Sequence, residues 1–439
     1  MKETEKQVTY TPCNHQLTNV NVWTPDSQWL VYDVRPSGAS FTGQTIERVN
    51  IETCEVEVVY QAEPESFVGV VTVSPTEPVR YVFIHSPEKP DAEWHYDFHH
   101  RRGVIVTEPD RAKAVTLDAM DITPPFTPGA LRGGSHVHVF SHDGDFLSFT
   151  YNDHLMHERG AEFDQRNVGV AVTLHPVRVD KQHPREYDGS HFCVLVSQTV
   201  AHPQPGSDEI SRAYEEGWVG QEGYINADGF RQRRALAFIG DVRSEDDSKI
   251  PEVFIVDLPQ EPEAYTQAGL APLAGTPDTL PSPPHSVRQR RLTYTADRRF
   301  PGIATSPRHW LRSSPDGSKI AFLMKDDFGV VQVWLVSPLG GELKQVTDGE
   351  FGVQSAFTWS PDGRSLAFVM DGSVALCDVN SGVVTRLTEK QSENHPCSDA
   401  VVFSPNGKYI AYMREVDGFI QLFVTGTEMD GWETGEGME

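Results

Sequence analysis

The feature that most constrains the fold is a repeated unit, whose clearest copy reads QVTDGEFGVQSAFTWSPDGRSLAFVMD over residues 345–371. Its Ser-Pro-Asp-Gly segment combines the fixed φ of proline with the positive φ of glycine, so it predicts a tight turn between two apolar strands. Related turns place Asp316, Asp362 and Asn406 at equivalent positions, 46 and 44 residues apart. This spacing is typical of the four-stranded blades of a β-propeller.

With the turn as a ruler, we predict an all-β fold, a seven-bladed β-propeller with a short helical insertion. The segment Gln7–Tyr10 matches the last strand of a unit, because the pattern of a new unit starts after it at Thr24-Pro25-Asp26. The N-terminal strand is therefore predicted to complete the last blade and close the ring, which leaves no open sheet edge. The predicted inner strands begin near Asn19, Gly69, His136, Lys181, His309, Ser355 and Ser398.

Residues 1–427 are predicted to form one domain, because a seven-bladed propeller uses a chain of this length as a single unit. An insertion at about 199–235 is predicted to contain a short helix that starts near Ser207-Asp208-Glu209. A Pro-rich stretch at about 258–286 is predicted to be a surface excursion or a linker before blade 5. The acidic residues 428–439 are predicted to be a disordered tail. One apolar helix face is indicated by Ile210, Tyr214 and Trp218.

The charge of the chain excludes several classes of partner. The net charge is −26 at pH 7 and no basic stripe balances it, so we expect neither a nucleic acid nor a membrane partner. No apolar run is long enough to span a bilayer, and the first residues lack the apolar segment of a secretory signal. The five cysteines have no Cys-x-x-Cys spacing, which favours free thiols and a cytoplasmic location.

Histidine is concentrated in one part of the chain, since 12 of the 17 lie between His85 and His191. His136 and His138 alternate on a predicted inner strand, so they would share a face and could bind one metal ion at about 2.0–2.1 Å. The alternative is that both line a wet channel as ordinary polar residues. His183 has the same offset from its turn as His138, and we predict it as the third ligand. Other candidates for that role are His15, His95 and Gln354.

A second set of charged residues, Arg308, His309 and Arg312, begins the predicted inner strand of blade 5. By the turn ruler His309 is equivalent to His136, so it should face the same end of the channel. A neutral histidine can accept a proton at pH 7, and an arginine can bind a carboxylate. We therefore predict these three residues as catalytic. The alternative for His309 is a solvated or structural histidine.

Substrate-binding residues are expected around the same channel mouth. Gln354 and Asp399 lie at the corresponding strand starts of blades 6 and 7, and His15 lies before that of blade 1. Arg101 belongs to the run His99–Arg102, which could bind anions, although on a strand only half of the run can point one way. His154 and His157 would form a metal pair only if their segment is helical.

The repeat resembles that of the TolB-type propellers, whose WD40-like unit has the same LT…SPDG…IAF spacing. Over the whole chain the sequence is similar to the uncharacterised YidR-like family, a resemblance that supplies no reaction. The segments that carry this likeness are NHQLTNVNVWTPDSQWLVYDVRPSGASFTG, HYDFHHRRGVIV, LRGGSHVHVFS, KQHPREY and PGSDEI-RAYEEGWVG.

The segment from His136 to Asp143 also resembles the metal site of oligogalacturonate lyases, which are seven-bladed propellers with manganese at the channel mouth. This weaker resemblance implies a divalent metal, with manganese as the expected ion, and a small acidic carbohydrate as ligand. It also implies β-elimination on a uronate, with His309 as the base. The competing interpretation is a non-catalytic TolB-like scaffold whose channel binds a peptide or a protein partner.

Overall fold

The computed structural model describes residues 5–427. Over this range the strands form seven four-stranded antiparallel sheets, and each sheet contacts the next one along the chain. Strand His15–Gln16 of the first sheet contacts strand Phe419–Gly426 of the last, so the ring is closed. The predicted seven-bladed β-propeller is confirmed.

In each blade the chain runs from the inner to the outer strand, except that the outer strand of blade 7 comes from the N-terminus. Blade 1 has His15–Gln16, Trp29–Val34, Thr45–Asn50 and Val56–Gln61. Blade 2 has Val68–Val73, Arg80–His85, Arg102–Thr107 and Val115–Thr116. Blade 3 has Gly133–Phe140, Phe146–Asp153, Asn167–Val172 and Phe192–Leu195.

The other four blades follow the same order. Blade 4 has Ala213–Trp218, Ala235–Arg243, Lys249–Asp257 and Arg288–Arg291. Blade 5 has Arg312–Ser313, Ile320–Lys325, Val331–Val336 and Lys344–Gln345. Blade 6 has Thr358–Trp359, Ser365–Met370, Ser373–Asp378 and Val384–Arg386. Blade 7 has Val401–Phe403, Tyr409–Val416, Phe419–Gly426 and Glu5–Gln7.

Shorter elements lie between these strands. A parallel pair joins Ala119–Met120 to Ala130–Leu131, and a small hairpin joins Tyr224–Ile225 to Arg231–Gln232. An α-helix spans His154–Arg159, and a 3-10 helix spans Pro262–Thr266. Within residues 5–427, no helix is both long and apolar enough to cross a membrane. The predicted tail at 428–439 lies outside the described residues.

The repeated turn forms as predicted, and its shape follows from the backbone angles and hydrogen bonds of its own residues. Gly363 and Gly407 adopt φ values of +71° and +73°, and the Ser360 hydroxyl donates to Asp362 Oδ1 at 2.6 Å. Tryptophans then tie inner strands of adjacent blades together. The indole of Trp359 in blade 6 donates to the Arg312 carbonyl of blade 5 at 3.0 Å. The apolar core lies between the faces of successive blades, as a cluster shared by blades 1 and 2 illustrates.

Ring closure by the N-terminal strand is confirmed, with a small shift in its bounds. Strand Glu5–Gln7 pairs antiparallel with Phe419–Gly426, so it begins two residues before the predicted Gln7–Tyr10. The pairing continues at Val8, whose N–H donates to the Leu422 carbonyl at 2.9 Å and whose side chain is fully buried.

The prediction of a helix after Ser207 is wrong. Ala213–Trp218 is the inner strand of blade 4, and it pairs with Ala235–Arg243. A register shift between Tyr214 and Gly217, with Glu215 at φ +55°, disturbs the strand alternation. The apolar spacing therefore imitated a helix, and pairing with a strand distant in sequence determined the structure instead.

The predicted inner strand near Lys181 is also wrong. The strand that follows Lys181 is Phe192–Leu195, and it is the outer strand of blade 3. The spacing of the turns did not locate this strand, because blade 4 has no Ser-Pro-Asp-Gly turn after its inner strand. Residues 219–234 connect its first two strands instead, and they contain a small hairpin of their own. The Pro-rich stretch at 258–286 lies between the third and fourth strands of blade 4 rather than between two blades.

Candidate functional site at the channel mouth

Two long excursions and one inner strand meet at one end of the channel. Residues 86–101 connect two strands of blade 2, and residues 154–166 connect two strands of blade 3. The Ser135 N–H of the blade 3 inner strand donates to the Arg101 carbonyl at 3.2 Å. Gly134 allows this close approach, because a Cβ at that position would lie 2.0 Å from the Phe98 carbonyl oxygen.

A small cavity at the starts of the inner strands brings several predicted site residues together. Its lining includes His136, Arg308 and Asp399, three residues that the turn ruler placed at the same mouth. Asn19, Arg35 and Trp310 complete the polar and aromatic part of the wall.

His138 does not share this cavity, which contradicts the predicted His136–His138 metal pair. Val137 has φ +51° and the strand register shifts between His136 and Val139, so the alternation of side chains is broken. The buried His138 Nε2 lies 2.9 Å from the Ser135 hydroxyl, which donates to Asp118. Burial and the nearby Arg101 lower the pKa of His138 to about 3.

The other predicted ligand and base also have different surroundings. His183 lies between the third and fourth strands of blade 3, with its ring 6.0 Å from that of Trp94. His309 is buried, and its Nε2 accepts the Leu323 N–H at 3.1 Å while Nδ1 lies 3.2 Å from the Pro307 carbonyl. Because both ring nitrogens are engaged by backbone, His309 is structural and the prediction of a catalytic base is wrong.

Three more predicted residues lie away from the mouth cavity. Arg312 is buried, donates to Asn19 Oδ1, and lines the cavity at the other end of the channel. His15 is buried, with Nδ1 3.0 Å from the Ile420 carbonyl and Nε2 2.9 Å from the Thr11 hydroxyl. Gln354 is exposed and accepts the Gly372 N–H at 3.2 Å. These three residues therefore do not line the mouth cavity, and their predicted roles stay predictions.

The buried state of His309 makes a prediction for stability at acid pH. Burial lowers its pKa from 6.5 to about 4, so the unfolded chain binds a proton there before the folded protein does. The contribution of a neutral His309 is complete above pH 6.5 and is lost as the pH falls toward 4. Urea unfolding between pH 7 and pH 4 should show a shallower pH dependence in His309→Gln than in wild type. Equal slopes would contradict this assignment.

Arg101 is the most unusual residue at the mouth, because it is 1% exposed and forms no ion pair with a carboxylate among residues 5–427. Nη1 lies 3.5 Å from the Tyr96 hydroxyl, and the group sits 5.1 Å from the Phe98 ring centre. Its Nε and Nη2 have no hydrogen-bond partner in the described part of the chain. Burial lowers the pKa of Arg101, so this cation is held at a cost in free energy.

Arg166 is the second cation of this group. It donates to the Thr150 hydroxyl, to Asn152 Oδ1 at 3.2 Å, and to His136 Nδ1 at 3.1 Å. Burial and then the charge of Arg101 lower the pKa of Arg166 to about 9. Arg308 adds a third cation, although Glu215 pairs with it at 2.8 Å. Burial lowers the pKa of His136 well below 6.5, so this ring is neutral. We call Arg101, Arg166 and His136 the anion pocket, because neither arginine forms an ion pair with a carboxylate among residues 5–427.

A candidate metal centre lies beside the anion pocket. His99, His157 and Asp164 place their ligand atoms within 4.8 Å of one another. His99 comes from the blade 2 excursion, while His157 lies on the helix His154–Arg159. The segment is helical, but His154 is not part of this group and contacts His100 instead. Burial raises the pKa of Asp164, but hydrogen bonds led by those from His99 and Asn152 bring it down to about 2.

Asn152 joins the two groups of residues. Its Nδ2 donates to Asp164 Oδ1 at 3.1 Å, and its Oδ1 accepts from Arg166 Nη1 at 3.2 Å. Sequence reasoning missed Asn152, Asp164 and Arg166. They follow no motif, and the one available signal was that they flank the helix that carries His157.

Together, the fold and the mouth define a seven-bladed propeller with a candidate histidine and aspartate metal centre next to a cationic pocket. The chain is 59% identical over 423 residues to uncharacterized protein YidR of Escherichia coli (strain K12), covering 96% of this chain and 97% of that protein. It belongs to the YidR family, which confirms the resemblance noted from the sequence. A family model described as protein of unknown function (DUF3748) matches residues 67–187, which contain both groups of residues.

Solved structures with the same fold include two oligogalacturonate lyases. One, in complex with manganese, has a TM-score of 0.56 at 11% identity and covers 96% of this chain and 92% of its own. The other, from Vibrio parahaemolyticus, has a TM-score of 0.58 at 11% identity and covers 97% of this chain and 93% of its own. At this identity the likeness concerns the fold alone.

Proposed function

We propose that the channel mouth binds a small acidic carbohydrate with the help of a divalent metal, and that the reaction is a lyase-like β-elimination on a uronate. The observation that carries this proposal is the buried, unpaired guanidinium of Arg101 beside Arg166. A carboxylate in the anion pocket would accept hydrogen bonds from the free N–H groups of Arg101 and would balance the positive charge of the guanidinium. The fold shared with oligogalacturonate lyases supports the choice of a uronate.

The pocket has a clear task in such a reaction. Arginine contacts would neutralise the uronate carboxylate, which makes the proton on the adjacent C5 more acidic, and a bound metal would act as a Lewis acid on the same group. A base removes the C5 proton, the C4–O bond breaks, a C4–C5 double bond forms, and the departing oxygen takes a proton. His309 is not this base. His136 uses Nδ1 to accept from Arg166, so its Nε2–H is left as a donor to the ligand.

Calorimetric titration tests the binding step. We expect digalacturonate and trigalacturonate to bind, and the neutral galactose oligomers of equal length not to bind, because only the former carry carboxylates. Affinity should fall as salt is added, since charge attraction contributes to binding. Equal affinity for acidic and neutral sugars, or no affinity for either, would contradict the proposal.

Turnover separates the two functional interpretations. A lyase produces an unsaturated uronate, whose ultraviolet absorbance can be followed with and without added Mn²⁺. The alternative, a non-catalytic scaffold, would use the same anion pocket for an acidic residue or the C-terminus of a partner. It predicts that acidic peptides bind and that no absorbing product forms, either with or without added Mn²⁺.

A further inference from the structure

We infer that His99, His157 and Asp164 bind a divalent first-row transition metal, at a place distinct from the His136–His138 pair suggested by the sequence. Asp164 Oδ2 lies 3.0 Å from His99 Nε2 and 3.0 Å from His157 Nδ1. Two ligands at about 2.0–2.2 Å from a metal and at right angles are roughly 3 Å apart, so these separations suit a shared ion. The His99 and His157 rings are stacked with centroids 3.9 Å apart, so the half-exposed His157 ring would turn to direct the lone pair of Nδ1 at the ion. The inference gives the metal of the proposed function a location, and metal binding itself does not rest on that function.

The hydrogen bonds around His99 support this assignment. Its Nδ1 lies 2.9 Å from Asp97 Oδ1 and its Nε2 3.0 Å from Asp164 Oδ2, but a neutral ring has one N–H and can donate to only one of the two carboxylates. We take the tautomer with the proton on Nδ1, which donates to Asp97. The lone pair of Nε2 then faces the carboxylate oxygen of Asp164, and two lone pairs in contact need a cation between them. A proton can serve, but a metal ion would satisfy Nε2, Oδ2 and the nearby His157 Nδ1 at once.

The surroundings provide what a metal site requires beyond its ligands. Asp97 orients His99, and the Asn152 amide holds the other oxygen of Asp164 at 3.1 Å, which are the usual contacts of residues that support metal ligands. His99 is 3% exposed, whereas His157 is 49% exposed, so an ion can reach the site from solvent. The site is thus fixed on one side and open on the other.

The ligand types indicate which metals would bind. Two imidazoles and one carboxylate, with further positions open, suit Mn²⁺, Fe²⁺, Co²⁺ or Zn²⁺, whereas Ca²⁺ and Mg²⁺ prefer oxygen ligands alone. Three protein ligands also leave room for a substrate oxygen. Through Asn152 the site contacts Arg166, so a metal here would lie one residue away from the anion pocket.

Metal binding by the full chain tests the inference. Protein stripped of metal with a chelator should bind one equivalent of Mn²⁺, Zn²⁺ or Co²⁺, measured by calorimetry and mass spectrometry, and Co²⁺ should produce a visible absorption band. His157→Ala and Asp164→Asn should each lower the affinity for these metals by about 10-fold to 100-fold. His157 is half-exposed, so its replacement should leave the fold intact.

Two variants serve as controls. His154→Ala removes a histidine of the same helix that contacts His100 instead of the centre, and it should bind metal as wild type does. His136→Ala should keep metal but lose acidic sugar. The inference is overturned if wild type binds no equivalent of any of these ions, or if His157→Ala and Asp164→Asn both bind as tightly as wild type. Metal binding without sugar binding would refute the proposed function and leave this inference standing. Sugar binding without metal would refute this inference and the metal requirement of the proposed function, but not the binding of the sugar by the anion pocket.

Discussion

Arg101→Met is expected to abolish binding of the acidic sugar while it stabilises the ligand-free protein. Loss of a buried, charge-assisted contact typically costs about 2–5 kcal/mol of binding free energy, which is at least about 30-fold in Kd. The same guanidinium is buried with two nitrogens unpaired, so methionine of similar length should raise the free energy of unfolding by about 1–3 kcal/mol. Calorimetry with digalacturonate and urea unfolding measure the two effects.

The neighbouring residue provides the control. Arg102 is the next arginine, but it pairs with Glu88 at 2.5 Å and lies over the Tyr187 ring. Arg102→Met should bind the sugar as wild type does and should be no more stable. If Arg101→Met instead lowers stability and keeps affinity, Arg101 is a structural residue and the anion pocket does not exist.

Arg101→Met is expected to lower the affinity for the sugar and to raise the free energy of unfolding, and both effects follow from the charge of the whole molecule. A protein with net charge −26 repels anions at long range, so an acidic ligand needs cations placed close to it. Burial and the charge of Arg101 lower the pKa of Arg166, and neither arginine forms an ion pair within residues 5–427, so this arrangement is unfavourable until an anion binds. Such a cost at one place in an otherwise well-packed fold is typical of binding sites.

The fold was largely predictable because its signal is local. A Ser-Pro-Asp-Gly turn specifies its own geometry, and its repetition specified the blades and their number. Blade 4 was misplaced because residues 219–234 replace that turn with a longer excursion. The false helix around Tyr214 arose in the same blade, where a register shift disturbs the strand alternation that would have identified it.

The site was predictable only where it follows the repeat. His136, Arg308 and Asp399 lie within or just before inner strands, and the turn ruler placed them at one mouth. His138 could not be placed, because the positive φ of Val137 is set by the packing of the strand and not by its own sequence. Asp164 lies in an excursion without periodicity, and its role depends on a contact with His99, 65 residues away in the chain.

Deletion of residues 1–8 is expected to have the largest effect on stability, because it reopens the ring. The deletion removes strand Glu5–Gln7, the contacts of Glu5 with Tyr412 and with Arg414, and the fully buried Val8. Burial of one valine contributes about 1.5–3 kcal/mol and each hydrogen bond about 1 kcal/mol, so a loss on the order of 5 kcal/mol is expected. That is a large part of the 5–15 kcal/mol typical of a folded domain.

The physical reason for this effect can be tested separately from the loss of residues. Without its partner, strand Phe419–Gly426 becomes an edge strand with unpaired N–H and C=O groups, so the shortened chain should aggregate as well as unfold at lower urea. A synthetic peptide of residues 1–14 should restore the unfolding midpoint in trans, by adding the missing strand to that edge. A scrambled peptide of the same composition should not. If the shortened chain unfolds at the same urea concentration as wild type, the N-terminal strand does not hold the ring together.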